Sequence, residues 1–414
     1  KDRNGALMAV RKRFWILTVL AAGIFFCLGM AKFTASAEID LIVSLKLGEE
    51  IFIFRDPDIV YDGDIAEEIA QKGLFDAKGR FSGFSEPIAR RYRLRDIDEK
   101  LSRINALVYV EPKNASVVFD PKNPKASRIT DDADGFGLDL GRIKGEIEES
   151  LSAGRSYIAE IFPEPLKAEL TRRDIEESLT LCTTFSTDIS TSSENRKTNV
   201  RLALSKFNGK TFTKGEQGSF NEIVGPRTEA NGFREAKVIL DGEFVEGIGG
   251  GVCQASTTLY NALLLSGNKI LEKHRHTLRV GYVPPSFDAM VSSSADLKFE
   301  CAKKIMHIVT RTTGSQATVE IYAKKDPVTI TRKSVIVSEG EPPAPEIEVD
   351  TAGKYLGRIR YRDEQIVVSP SKGELRSEGW LYYSDGRREK IRTDVYKAQK
   401  GKVIVGAEER EKKF

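Results

Sequence analysis

The chain has 414 residues, and its composition excludes several classes of protein. It is 40% hydrophobic and 30% charged, which is typical of globular proteins and argues against disorder, collagen-like repeats and several membrane spans. Its 64 basic and 61 acidic residues leave a net charge of +3, which is too small to predict binding to nucleic acid. The length exceeds what one hydrophobic core usually serves, so we expect two to three domains.

The first element is an uncharged run at residues 14–31, which follows the basic residues Arg11, Lys12 and Arg13. A helix of this length covers roughly 27 Å, close to the thickness of the hydrocarbon core of a membrane. The basic flank places its N-terminal side in the cytoplasm. We therefore expect a single-pass cell-membrane protein, anchored by residues 1–37, whose bulk is extracytoplasmic. The small residues at 35–37 leave a cleaved signal peptide as the alternative.

The rest of the chain predicts an α+β multidomain fold. Amphipathic stretches alternate with β-rich runs over residues 38–175, which predicts an α+β domain. An acidic segment at 131–137 lacks the ligand spacing of a calcium loop, so a solvated turn is the preferred interpretation. A second α+β domain is expected at 176–325. Prolines at 342–345 then mark a linker or extended crossover within a small β-rich domain at 326–414.

The residues that indicate chemistry begin with three glycines at 249–251. They permit a tight turn, and the following residues predict a helix that ends at Gly267. Cys253 would then lie at the N-terminus of this helix, where unpaired amides and the helix dipole favour a thiolate. The same amides could receive an oxyanion.

A cysteine nucleophile needs a base, and the chain has three histidines, His274, His276 and His307. The first two follow the predicted helix closely. Asp288 and Asp296 lie just downstream, and either carboxylate could orient the imidazole. The pattern predicts a Cys-His site with its third member left open.

These residues also have other interpretations, and the sequence argues against some of them. A lone cysteine is often a small buried hydrophobic residue, and Cys182 could form a disulfide bond with Cys301 in an oxidising compartment. The two closely spaced histidines could bind zinc together with Cys253, but no second cysteine lies at ligand spacing, so we expect no metal. The glycines lack the lysine that a phosphate-binding loop requires.

These motifs resemble the VanW domain over about 140 residues, and the glycine-cysteine motif is its most specific part. This sequence departs from the family pattern at two positions. Gly218 stands where an aromatic residue is usual, and Lys273 stands where an arginine is usual. Residues 111–139 resemble the putative peptidoglycan-binding domain that often precedes VanW domains, and the tail weakly resembles the small glycine-named β domain that often follows them. The residues that carry the VanW resemblance are Phe185, Ser186, Thr187, Arg196, Asn199, Asn208, Gly209, Gly215, Glu216, Ser219, Phe220, Asn221, Val224, Gly225, residues 249–261, His276, Tyr282, Val283, Pro284, Pro285, Asp288 and Ala289.

The resemblance implies a protein that acts on the bacterial cell wall. Some members of the family are implicated as L,D-transpeptidases that form a cysteine acyl-enzyme, with peptidoglycan stem peptides and glycan as partners and without a cofactor. The alternatives are a non-catalytic wall-binding or scaffolding protein, linked to envelope maintenance or glycopeptide resistance, and a cysteine peptidase. The expected catalytic residues are Cys253, His276, Asp288 and Asp296, and the expected substrate-binding residues are Gly249, Gly250, Gly251, Gln254, Ser256, Thr257, Arg196 and Asn221.

Overall fold

The computed structural model describes residues 40–61, 73–75, 81–84, 92–240 and 243–410. The chain divides into two compact units, and the first comprises residues up to Val110 together with Phe136–Pro165. The second comprises Glu111–Gly135 and Leu166–Phe414. The domain boundaries that we expect at residues 175 and 325 stay predictions.

The described residues form six α-helices and 26 β-strands. The helices are α1 (Ile97–Asn105), α2 (Leu140–Ser152), α3 (Arg172–Ser178), α4 (Glu194–Ser205), α5 (Phe220–Val224) and α6 (Val252–Leu265). The strands are β1 (Val43–Leu47), β2 (Glu50–Phe54), β3 (Ile59–Tyr61), β4 (Gly73–Phe75), β5 (Phe81–Phe84), β6 (Tyr92–Leu94), β7 (Ser116–Val118), β8 (Arg128–Thr130), β9 (Gly135–Gly137), β10 (Tyr157–Glu160), β11 (Glu164–Leu166), β12 (Leu181–Asp188), β13 (Thr211–Thr213), β14 (Gln217–Ser219), β15 (Glu235–Leu240), β16 (Glu243–Ile248), β17 (Lys269–Glu272), β18 (Lys298–Glu300), β19 (Ile305–Thr312), β20 (Gln316–Ala323), β21 (Ile330–Glu339), β22 (Glu346–Val349), β23 (Gln365–Ser369), β24 (Leu375–Tyr383), β25 (Arg388–Tyr396) and β26 (Lys402–Val405).

The core of the first unit lies between two helices and a three-stranded sheet. Strand β1 pairs antiparallel with β2 and parallel with β10. Alternate residues of a strand point to one face, and those of β1 that face the core, such as Leu45, are fully buried. Helix α2 contributes Ile143, Ile147 and Leu151 to the same core, because a spacing of four residues keeps them on one side of a helix.

The second unit is rich in β-structure and contains a central buried helix. An antiparallel sheet in the order β12-β20-β19-β13 packs against α4 and α6. Strands β14, β18 and β17 form a smaller sheet, and β15 pairs with β16 as a hairpin. Two further three-stranded sheets, β21-β24-β25 and β22-β26-β23, follow in the C-terminal part. The chain is therefore a mixed α and β protein with a large share of β-structure.

Gly218, where the VanW resemblance lacks an aromatic residue, lies opposite Phe299 in the pairing of β14 with β18. A Cβ atom added at Gly218 would lie 2.3 Å from the ring of Phe299, so that ring occupies the space of a side chain at this position. A ring from the neighbouring strand thus covers the glycine and keeps the sheet packed.

The expected transmembrane helix is the part of the predicted fold class that is wrong. No helix in the described part of the chain is long and apolar enough to cross a membrane. The longest of them, α6, has 14 residues and covers roughly 21 Å, whereas the hydrocarbon core is about 30 Å thick. Residues 14–31, on which the expectation was based, lie outside the described residues. The corrected fold class is mixed α and β, and no membrane-spanning helix is found among the described residues.

Gly250 lies against the backbone of β15, and this contact generates a prediction about stability. A Cβ atom at this position would lie 2.5 Å from the carbonyl oxygen of Ala236 and 2.7 Å from that of Lys237. Because these are backbone atoms, the collision cannot be relieved by a side-chain rotation. We expect Gly250→Ala to lower the free energy of unfolding by about 3 kcal/mol, measured by urea denaturation.

The matched control is Gly314→Ala, because nothing lies within 4 Å of a Cβ atom added at Gly314. Its effect should stay within about 0.5 kcal/mol. Equal denaturation midpoints for the two variants would contradict the close approach at Gly250.

Candidate active site

Cys253 is the second residue of α6, directly after the glycine turn. Gly249 and Gly251 have φ angles of 87° and 109°, which side-chain-bearing residues rarely adopt. The amides of Val252 and Gln254 donate to the carbonyl oxygens of Gly249 and Gly251. The thiol is partly exposed, and its sulfur lies 3.4 Å from the carbonyl oxygen of Val291. The glycine turn therefore places the sulfur at a helix N-terminus that faces an open cleft.

Cys253, His276 and Asp288 form a connected triad. The imidazole of His276 interacts electrostatically with the Cys253 thiol. Its Nδ1 lies 2.7 Å from Oδ2 of Asp288, and the backbone amide of His276 donates to the same oxygen at 2.7 Å. His276 and Asp288 are both buried, so these contacts are shielded from solvent. The arrangement fixes Nδ1 on the carboxylate and leaves Nε2 for the thiol.

The electrostatics of the triad favour a thiolate and an imidazolium. Burial by itself would raise the pKa of the Cys253 thiol, but the hydrogen bond and charge of His276, together with the charge of Arg227, lower that pKa below its usual value. Burial would lower the pKa of His276, yet Asp288 and Cys253 together raise it to about 9. Opposite charges in contact stabilise each other in this way. The ion pair should therefore persist at neutral pH.

The polar face of α6 positions Asp288 through the backbone on either side of it. The side chains of Ser256 and Thr257 donate to the carbonyl oxygen of Ala289 at 2.6 and 3.3 Å. Thr257 also accepts from the amide of Ala289, and Asn261 donates to the carbonyl oxygen of Phe287 at 2.9 Å. These buried hydroxyl and amide groups explain why an otherwise apolar helix carries a polar stripe.

Tyr396 supports Asp288 from the C-terminal sheet. Its hydroxyl donates to Oδ1 of Asp288 at 2.6 Å and accepts from the amide of Ser286 at 2.7 Å. Tyr396 is almost fully buried at the end of β25. Both oxygens of Asp288 therefore have donors, and burial raises the pKa of the carboxyl less than these partners lower it.

Asp296, the other expected orienting carboxylate, has different partners. Its oxygens accept from the hydroxyl of Ser219 at 2.5 Å, from the amide of Asn221 at 2.9 Å and from the amide of Leu297 at 2.7 Å. Ser219 is the N-cap of α5. The structure thus brings Asp288 to His276 and places Asp296 at the N-terminus of another helix.

The expected substrate-binding residues divide into two groups. Gly249, Gly251 and Arg196 line the cleft that contains Cys253. Gln254 is buried beneath it, where it accepts from Arg196 at 3.0 Å and donates to the carbonyl oxygen of Asp188. Gly250 packs against β15, Ser256 and Thr257 face residue 289, and Asn221 donates to the carbonyl oxygens of Ser292 and Ala295.

The cleft has a volume of about 1070 Å³ and is open to solvent. Hairpin β15-β16, the start of α4 and residues 276–282 form its walls, and residues from the C-terminal part complete its rim. Its lining contains five basic and two acidic side chains, which favours ligands with negative charge. The charged residues are Arg196, Arg227, Lys237, Arg279, Lys372, Glu235 and Glu246.

The other histidines lie apart from the triad. His307 is buried between the hydroxyls of Ser178 and Thr211, and burial lowers its pKa to about 4. His274 contacts Glu272 at 2.9 Å. Within the described ranges, all cysteines are free and no cluster of three metal-ligating side chains occurs.

Sequence reasoning missed three residues that the structure places at the site. Tyr396 follows Asp288 by 108 residues, and no local pattern connects them. Tyr282 lines the cleft together with Cys253, and burial and the nearby negative charges raise its pKa. Arg227 follows the motif residue Gly225 by two positions, and this nearness to the motif is the signal that could have identified it as a site residue.

Comparisons with known proteins agree with these motifs. Residues 195–322 match the family described as VanW like protein. An uncharacterized protein of Bacillus subtilis (strain 168), YoaR, is 38% identical over 117 residues, which are 28% of this chain and 39% of that protein.

One solved structure, the crystal structure of HP0197-G5, is 12% identical over 20% of this chain and 100% of its own, and its TM-score of 0.10 carries no argument about the fold. The prediction from the sequence motifs is confirmed for residues 195–322, which match the VanW family and include Cys253, His276 and Asp288.

Proposed function

We propose that the protein is a cell-wall acyltransferase of the L,D-transpeptidase type, which forms a thioester between Cys253 and a peptidoglycan stem peptide. The observation that carries this proposal is that Cys253 and His276 line an open cleft, while the buried carboxylate of Asp288 holds the imidazole of His276. A structural cysteine would need neither a buried carboxylate behind its histidine nor access to a large cleft.

The proposed mechanism has two half-reactions, and Cys253 and His276 act in both. The thiolate of Cys253 attacks the carbonyl carbon of the third stem residue, and the positive end of the α6 dipole stabilises the oxyanion. The bond to the terminal D-alanine breaks as its nitrogen takes the proton from His276. An amine from a neighbouring diaminopimelate then attacks the thioester, His276 accepts the proton of that amine, and the thiolate leaves.

The first test is the reaction itself. We expect the purified protein to convert disaccharide-tetrapeptides into dimers with loss of D-alanine, detected by mass spectrometry. Cys253→Ser should lower the rate by at least about a thousandfold because a hydroxyl is far less acidic than a thiol. The melting temperature should barely change, since the two side chains have similar volumes.

Cys182→Ser is the matched control, because Cys182 is also free and packs beside the main core of the unit. It should retain the activity of the unaltered protein. Hydrolysed monomers instead of dimers would assign a cysteine peptidase, and binding without any product would favour the scaffolding alternative.

The second test concerns the charge state of Cys253. A free thiol has a pKa of about 8.5, so little of it is ionised at pH 6. Since the pKa of Cys253 is lowered and that of His276 is raised to about 9, the ion pair forms below neutral pH and is lost above about pH 9. We expect iodoacetamide to label Cys253 at least roughly tenfold faster in the unaltered protein than in His276→Ala at pH 6.

His274→Ala is the control for this measurement, because His274 lies two residues away and contacts Glu272. Its labelling profile against pH should match that of the unaltered protein. If Cys253 labels only after denaturation, or titrates identically in His276→Ala and the unaltered protein, it has no thiolate-imidazolium pair.

We also propose that the protein acts outside the cytoplasm, because its proposed substrate lies there, and that residues 38–175 hold the wall polymer. A reporter domain that works only in the cytoplasm, fused after Lys325, should be inactive in cells. A second reporter, which needs an oxidising compartment, should be active at the same position. The reverse result would exclude this location.

A further inference from the structure

Arg227 is a cation at the nucleophile that lacks an acidic partner. It lines the cleft together with Cys253, and its stem lies 3.4 Å from the position of a Cβ atom added at Gly249. Its charge interacts with Cys253 and with Asp296, yet no carboxylate in the described part of the chain forms an ion pair with it. Its Nε is buried without a hydrogen-bond partner.

The position of Arg227 is fixed before any ligand binds. Its guanidinium donates to Oδ1 of Asn221, while Nδ2 of Asn221 donates to the carbonyl oxygens of Ser292 and Ala295 at 3.0 Å. Burial lowers the pKa of the guanidinium, and the negative charges of Cys253 and Asp296 oppose that effect. A cation held in this way has donors available for an incoming anion.

Other arginines of the cleft already have acceptors. Arg279 forms an ion pair with Glu339 at 2.7 Å and donates to the carbonyl oxygen of Gly373. Arg196 donates to Gln254 and to the carbonyl oxygen of Lys237. Arg227 therefore differs from both in having a buried donor that the protein does not use.

We propose that Arg227 binds the free carboxylate of the residue that leaves when Cys253 is acylated, so that the enzyme accepts only donors whose leaving residue is the last of the peptide. This inference rests on the proposed function. The carboxylate of a C-terminal residue is separated from the attacked carbonyl carbon by only its own nitrogen and Cα, at most about 4.3 Å along the bonds. A cation that lines the same cleft and interacts with the thiolate can therefore reach it, and a guanidinium binds carboxylates through two parallel hydrogen bonds.

Two donors that differ only in this carboxylate test the proposal. One is a disaccharide-tetrapeptide that ends in D-alanine, and the other carries D-alanine carboxamide at the same position. The measurement is the apparent second-order rate of thioester formation, followed by the mass of the intact protein. We expect the unaltered protein to prefer the acid roughly ten- to a hundredfold, as a charge-assisted contact would produce.

The ratio of the two rates separates recognition from other effects of Arg227. Arg227→Gln removes a positive charge that favours the thiolate. That loss by itself would lower both rates alike and leave the acid-to-amide ratio unchanged. If Arg227 also binds the carboxylate, the acid-to-amide ratio of this variant should fall to within about threefold of unity. Arg227→Lys keeps the charge but not the planar pair of donors, so it should give an intermediate ratio.

Arg279→Gln is the control, because Arg279 lines the same cleft but is already neutralised by Glu339. Its acid-to-amide ratio should equal that of the unaltered protein. Equal rates with both donors in the unaltered protein, or an unchanged ratio in Arg227→Gln, would overturn the inference and leave the proposed function standing. Absence of a thioester with either donor would overturn both.

Discussion

The buried carboxylate of Asp288 is the constraint on which the site depends. A carboxylate that is 1% exposed is costly unless its oxygens are paired and hydrogen-bonded. Here one oxygen binds the imidazole and amide of His276, and the other binds the hydroxyl of Tyr396. The polar face of α6 and the sheet that contains β25 both contribute to these contacts, so two separate elements of the second unit stabilise one buried charge.

Charged side chains of alternating sign lie behind Asp288, away from the cleft. Lys273 is buried, lies 3.8 Å from Asp394 and interacts electrostatically with Asp288. Burial lowers the pKa of Lys273 to about 8, although the two carboxylates oppose this shift. Arg392 pairs with Asp394 at 2.7 Å. Lys273, which stands where the VanW pattern usually has an arginine, thus belongs to the same buried network as the triad.

Local patterns in the sequence were enough to propose a nucleophile, a base and two candidate carboxylates, because these residues lie within about 45 positions of each other around one helix. They could not decide between Asp288 and Asp296, since that choice depends on which loop α6 holds beside His276. Nor could they connect Tyr396 with Asp288, because contacts between distant segments follow from tertiary packing. The membrane helix that hydrophobicity predicted at 14–31 lies outside the described residues, and no helix within them is long and apolar enough to cross a membrane.

The hydrogen bond from Tyr396 to Asp288 can form only late in the synthesis of the chain. The chain is synthesised from its N-terminus, and the hydroxyl that completes the contacts of Asp288 comes 108 residues after it. At about 5 to 20 residues per second, that interval is roughly 5 to 20 s. During it, Cys253 and His276 already exist, but the carboxylate behind them lacks one of its donors. A chain truncated before β25 would carry the complete glycine-cysteine motif, but its Asp288 would lack the hydrogen bond from Tyr396.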